Sequence, residues 1–141
     1  MVCLKPEMNS LENNTDRLSE HADTLIWRGT LLSPASQHNG RNPTCGDEIQ
    51  ISMLVRDNIV DDIRFEGCGC VVSQACASML CEGVFGRSIA AIMVASPEEL
   101  MQFYISGFSV NRQQCALLAY ETLMRGLRTL EQHPAERSET A

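Results

Sequence analysis

The stretch NPTCGD, residues 42–47, sets a thiol two positions from a carboxylate in a chain of formal net charge −7. Like charges repel, so a cation between Cys45 and Asp47 is the natural reason to keep both. Cys70 and Cys115 share with Cys45 a place at a junction between elements rather than inside one. Intervals of 25 and 45 residues separate the three cysteines, which match no compact zinc pattern, so spacing alone does not establish a shared site. Junctions at one end of a domain can nevertheless meet in space, and a helix N-terminus stabilises a nearby thiolate. Gly46 follows Cys45 and Gly69 precedes Cys70, and each permits a tight turn that aims backbone amides at a bound ion. Three thiolates and one carboxylate carry four negative charges, of which Zn²⁺ cancels two. Arg112, one helical turn before Cys115, is the cation expected to offset part of the rest. Thiolates suit Zn²⁺ and iron–sulfur clusters, whereas a carboxylate is a harder and weaker ligand for them. A site of three cysteines and one aspartate is therefore built to deliver what it holds rather than to store it.

The remaining cysteines sort differently. The total of seven is odd, and a reducing compartment keeps thiols unpaired. Cys76 and Cys81 fall within a helical pattern and read as small core residues. Cys3 reads as an exposed bystander. Cys68 forms Cys-Gly-Cys with Cys70 and stays open between a redox partner, a spare ligand, a persulfide relay and a neutral loop residue. His21 and His133 are expected on the surface, and His38 is the histidine placed to swing towards Cys45. Trp27 and the methionines read as packing.

These side chains need elements to hold them. Hydrophobic residues make up 44% and charged residues 21% of 141 positions, the balance of one globular domain. That domain is expected over 16–132, with a disordered tail at 1–15 and a flexible one at 133–141. No apolar run reaches the ~20 residues that span a bilayer, and the first residues lack the apolar middle of a signal peptide, so a cytoplasmic protein is expected. The acidic balance offers no footprint for nucleic acid. Leu18, Ala22, Leu25, Ile26 and Gly29 predict a helix from Asp16 to Leu32. Ile49, Ile51, Met53 and Val55 alternate along one strand, a turn follows at Arg56-Asp57-Asn58, and Ile59, Ile63 and Phe65 share one face of the next. The loop before Cys45 is a possible third strand. Val72, Ala75, Cys76, Met79, Leu80 and Gly83 mark a covering helix, and SIAAIMVA a shorter one. Ser96, Pro97 and Glu99 make a capped helix start. A long helix runs from Ser109 to about Gln132 with Tyr120, Leu123, Met124, Leu127 and Leu130 on one stripe. The fold class is α+β, a small antiparallel sheet with helices packed on one face.

Three segments in order, NPTCGD, FEGCGCVVSQACASML and NRQQCALLAYETL, resemble the iron–sulfur cluster assembly scaffolds of the IscU, SufU and NifU N-terminal type, over residues 42–130. The resemblance implies Cys45, Asp47, Cys70 and Cys115 as metal ligands. Counting back from ASML puts Cys70, not Cys68, on the second family cysteine. Cys68 takes the variable position of the SufU pattern Phe-Glu-Gly-x-Gly-Cys, and Arg112 matches a SufU-branch arginine. Three features depart from the family: Gln114 stands where IscU proteins carry histidine, GFSVNRQQ stands where they carry a chaperone-read Leu-Pro-Pro-Val-Lys segment, and the SufU insertion between the second and third cysteines is missing. The implied function is a scaffold that accepts sulfur from a cysteine desulfurase, first at Cys45, builds an iron–sulfur cluster of the 2Fe–2S type, and passes it to downstream apo iron–sulfur proteins. A zinc-dependent, SufU-like sulfurtransferase is the alternative. A structural zinc or thiol-redox module is a third reading from a different class.

Overall fold

Alternation of Ile49, Ile51, Met53 and Val55 puts four apolar side chains on one face of a strand, and the rest of the fold is arranged to cover them. The computed structural model of the protein describes residues 17–32, 34, 36–43 and 45–132. The tails expected at 1–15 and 133–141, with Cys3 and His133, lie outside the described residues. Strands β1 (Ser36–Asn42), β2 (Asp47–Arg56) and β3 (Ile59–Cys68) form one antiparallel sheet in the order β1-β2-β3. The loop before Cys45 thus supplies the third strand. Helix α1 occupies residues 17–23. It is followed after the sheet by α2 (Val71–Val84), α3 (Ile89–Val94), α4 (Pro97–Met101) and α5 (Val110–Gln132). Helices α2 and α5 pack on each other and on the apolar face of the sheet, which is the expected α+β arrangement. Among the described residues no helix is long and apolar enough to cross a membrane.

The inner face holds Ile49, Ile51, Met53 and Val55 of β2 with Val60, Ile63 and Phe65 of β3, each no more than 1% exposed. Val60 stands where Ile59 was expected. Met53 pairs with Ile63 and Leu54 with Asp62, but Val55 then pairs with Val60. One additional residue, Asp61, is inserted into β3, and this bulge reverses the inside–outside parity beyond it. Ile59 is left 42% exposed. The tip of the hairpin is Asp57-Asn58, with φ of 56° and 63°, left-handed values that Asp and Asn tolerate and that suit the strand twist.

The first helix is shorter than its periodicity predicts. It ends at residue 23, and Leu25 and Ile26 point outwards. Beyond them the backbone pairs with the free edge of β3. The Phe65 amide donates to the Trp27 carbonyl at 2.9 Å, and the Gly29 amide donates to the Phe65 carbonyl at 2.8 Å. Satisfying an edge strand outweighs extending a helix whose next residues have no core to face. Trp27 packs on Phe85, ring centroids 5.4 Å apart, as a packing residue.

On α2, Cys76 and Cys81 are buried core residues. Burial pushes the Cys76 thiol up to about 12 and raises that of Cys81 as well, so both remain neutral. Helix α4 carries the capping box: the Glu99 amide donates to Ser96 Oγ at 3.1 Å, and the Ser96 amide to Glu99 Oε1 at 2.9 Å. Along α5, Leu123, Met124, Leu127 and Leu130 are buried and Tyr120 half-buried.

His21 is buried, contrary to its expected surface place. Its Nδ1 lies 2.7 Å from Ser78 Oγ and its Nε2 3.0 Å from Glu82 Oε1. The order Ser–His–Glu invites comparison with a hydrolytic triad, but Ser78 is 0% exposed and no substrate can reach it. The trio is a clamp holding α1 to α2. Burial lowers the His21 pKa, more than the Glu82 carboxylate raises it. The unfolded chain therefore binds the proton that the folded one resists, and stability is lost as pH falls through the unfolded value of about 6.5. Urea midpoints measured between about pH 7.5 and about pH 5.5 should fall, and His21→Gln should flatten that slope. Leu123→Ala, in the fully buried stripe, should cost about 2–5 kcal/mol in the same assay.

Candidate metal centre

Asn42 and Asp47 are paired across β1 and β2, so residues 43–46 must reverse the chain in a short loop. The Gly46 amide donates to the Asn42 carbonyl at 2.7 Å. Gly46 takes a φ of +78°, which glycine adopts at no steric cost. This loop carries Cys45 at its exposed tip. Asp47 has the same parity on β2 as Ile49 and Ile51, so its side chain turns inwards and is 1% exposed. There it faces the start of α2 and the first turns of α5.

Cys70 is the N-cap residue of α2. Its backbone N–H donates to Asp47 Oδ1 at 2.9 Å, and its thiol lies 3.5 Å from Asp47 Oδ2. Gly69 makes this approach possible: its φ is +137°, and a Cβ there would collide with the Asp47 carboxylate. From the second turn of α5, the buried Cys115 brings its Sγ to 3.6 Å from Cys45 Sγ. Asn42 Nδ2 points at the same sulfur from 3.9 Å. One ligand atom each from Cys45, Asp47 and Cys115 lies within 4.8 Å of the others, and Cys70 adjoins the group through Asp47. Residues spread over 71 positions of chain meet at one end of the sheet.

The electrostatics follow from this crowding. Burial is the largest influence raising the Cys115 pKa, followed by hydrogen bonding with Asp47, Cys45 and Cys70. Adjacent thiols and a buried carboxylate cannot all ionise without a cation. The donor set fits a thiophilic ion: about 2.3 Å per Zn–S bond gives a tetrahedral S···S edge of about 3.8 Å, close to the 3.6 Å found between Cys45 and Cys115. A disulfide needs about 2.05 Å, and every described cysteine is free.

The other candidates sit elsewhere. Cys68 is exposed at the end of β3, paired across the sheet with Glu48. Arg112 is exposed on the first turn of α5, and no ion pair among the described residues joins it to Asp47. His38 does not swing in: its Nδ1 is 3.1 Å from Ser36 Oγ and its Nε2 3.4 Å from Thr129 Oγ1, which ties it to the far part of α5. Asn42 was not singled out by sequence reasoning, although it opens the NPTCGD segment.

The chain as a whole is similar to known proteins. Residues 18–137 match the family model of the NifU-like N-terminal domain. The chain is 30% identical over 132 residues to an iron–sulfur cluster assembly scaffold protein, IscU, of Thermotoga maritima, spanning 82% of this chain and 93% of that one. It is 32% identical over 103 residues to the zinc-dependent sulfurtransferase SufU of Bacillus subtilis, covering 61% of this chain and 70% of that one. Among solved structures, the N-terminal part of a NifU-like protein from Brucella abortus superposes with a TM-score of 0.70 at 18% identity, over 89% of this chain and 98% of that chain.

Gly69→Ala should drive a side chain into the Asp47 carboxylate and displace Cys70. Competition against a chromophoric chelator should show zinc affinity falling about 10–100-fold, with the far-ultraviolet circular dichroism of the fold retained.

Proposed function

The chain belongs to the family of NifU-like N-terminal domains, and from that premise we propose that it is an iron–sulfur cluster assembly scaffold. It accepts sulfur from a cysteine desulfurase and builds a nascent cluster of the 2Fe–2S type on Cys45, Asp47, Cys70 and Cys115. It then passes the cluster to apo iron–sulfur proteins. The observation that carries this reading is the convergence of soft thiols from a hairpin loop, a helix cap and a second helix around one buried carboxylate.

The chemistry follows from where each group sits. The desulfurase presents a persulfide, R–S–S–H. The Cys45 thiolate attacks the outer sulfur. A Cys45 Sγ–S bond forms, the donor's S–S bond breaks, and the donor leaves as a thiolate. Cys45 suits this role because its loop tip is exposed while its sulfur stays 3.6 Å from Cys115. Asp47 is the hard donor among soft ones and supplies the labile position from which the cargo departs. Free thiols throughout the described chain suit a reducing cytoplasm.

A second reading has its own support. The Cys45–Cys115 separation matches the edge of a single tetrahedral zinc site, and the relative from Bacillus subtilis is a zinc-dependent sulfurtransferase. In that reading Zn²⁺ is resident, held by the same four residues, and its charge keeps the thiolates ready while Cys45 accepts sulfur. Iron, sulfide and zinc contents after anaerobic purification separate the two: stoichiometric iron and sulfide support the scaffold, and zinc alone supports the sulfurtransferase.

Asp47→Ala should retain a reconstituted cluster longer than the wild type, read as slower decay of visible absorption on exposure to a chelator. Asp47→Asn, which keeps an oxygen for the Cys70 amide, should behave likewise. Equal or faster loss in both variants contradicts the role assigned to Asp47. Cys45→Ser, Cys70→Ser and Cys115→Ser should each abolish stable cluster assembly.

A further inference from the structure

Beside the metal centre, where the sheet ends, the surface opens into a cleft of about 650 Å³. Cys68 stands in its wall. Arg41 and Arg125 line it from β1 and α5, and Glu48 and Glu66 from β2 and β3. Gly67 lies against Glu48 and Ile49 of β2 too closely to carry a Cβ. Cys68 is exposed and is not among the ligand atoms gathered around Asp47. It is nevertheless joined to Cys70 by Gly69 alone, and two residues of chain span at most about 7 Å between their Cα atoms. At Gly69 the backbone takes its φ of +137°, and the chain leaves the sheet to bring Cys70 round to Asp47. The cleft and the metal centre thus lie on the two sides of one glycine corner.

From this arrangement we infer that Cys68 is a second sulfur-accepting residue, loaded by an alkyl persulfide that enters the cleft. The inference rests on the scaffold reading above. A cluster with two sulfides needs two sulfur deliveries, and Cys45 provides one acceptor. The cleft suits the second donor's chemistry. Its volume is that of a pocket for a small peptide-like group. Guanidinium and carboxylate groups on its walls match the carboxylate, carbonyl and ammonium groups of a peptide carrying cysteine persulfide. The Cys68 sulfur gives its proton to solvent and attacks the outer sulfur of R–S–S–H. The Cys68 Sγ–S bond forms and RS⁻ departs. The Cys70 thiolate then attacks that outer sulfur, forming a Cys70 Sγ–S bond and releasing Cys68 as thiolate. Each step exchanges one S–S bond for another, so neither needs an oxidant or reductant.

The test uses the full chain under anaerobic conditions in single turnover. One arm uses a persulfide-loaded cysteine desulfurase charged with isotopically labelled cysteine, the other glutathione persulfide. Thiols are trapped by alkylation, and peptide mass spectrometry locates the label. Label on Cys68 is expected from at least one donor, and which arm delivers it identifies the donor as a protein or a small thiol. Cys68→Ser is expected to reduce total sulfur loading by about half while zinc-binding stoichiometry, measured alongside, stays unchanged. Label at Cys45 but none at Cys68 from either donor, or undiminished loading of Cys68→Ser, overturns the inference and leaves the scaffold reading standing. Absence of label at every cysteine of the wild type overturns both.

Discussion

The buried carboxylate of Asp47 is the constraint on which the centre depends. An ionised carboxylate withdrawn from water is costly unless hydrogen bonds or an opposite charge compensate. Here one oxygen accepts the Cys70 amide and the other faces the Cys70 thiol. The same bond that repays part of the burial of Asp47 therefore fixes the start of α2 against the start of β2. The turn before Cys70 must pass so close to the carboxylate that only glycine fits at position 69. Turn, strand and helix are locked by one contact, and the contact sets a carboxylate at a place where cations are the natural partners.

Around that contact the architecture divides the thiols by exposure. Cys115 comes from inside α5 and is buried; Cys45 and Cys70 come from a loop and a cap and are exposed. Rigid elements thus hold one sulfur and the carboxylate, while a loop and a helix cap hold the two exposed sulfurs. The geometry of the cluster rests on the hydrophobic contacts of α2, α5 and the sheet. Cys76 and Cys81 mark the boundary: they lie on α2, 6 and 11 residues beyond Cys70, yet burial keeps them neutral and out of the chemistry.

Much of the fold was legible because periodicity and capping are local. The β2 alternation, the α5 stripe and the Ser96–Glu99 capping box are each set by residues a few positions apart. Most of the misreadings came from partners distant in sequence. Leu25 and Ile26 fit a helical period, but the free edge of β3 drew the following backbone into pairing at Phe65. Ile59 fitted the strand face until the bulge at Asp61 exchanged it for Val60. His21 looked like a surface residue because nothing near it in the chain reveals Ser78 and Glu82. Asn42 was passed over for the same reason, its contact with Cys115 spanning most of the domain.

Residue chemistry was readable before any fold: three cysteines, an aspartate beside one of them, glycines where turns must be tight, and order enough among three segments to declare a family, although Cys115, expected at a junction, lies inside α5. Whether those sulfurs share a centre was not, since intervals of 25 and 45 residues say nothing about distance in space. Packing settled it. The inward parity of β2 turns Asp47 towards the helices, and the Gly69 corner returns Cys70 to it. The apolar stripe of α5 holds Cys115 against the Cys45 loop. Ligand types are a property of the chain, but their separation is a property of the core, because only burial of apolar surface carries enough free energy to hold distant segments together.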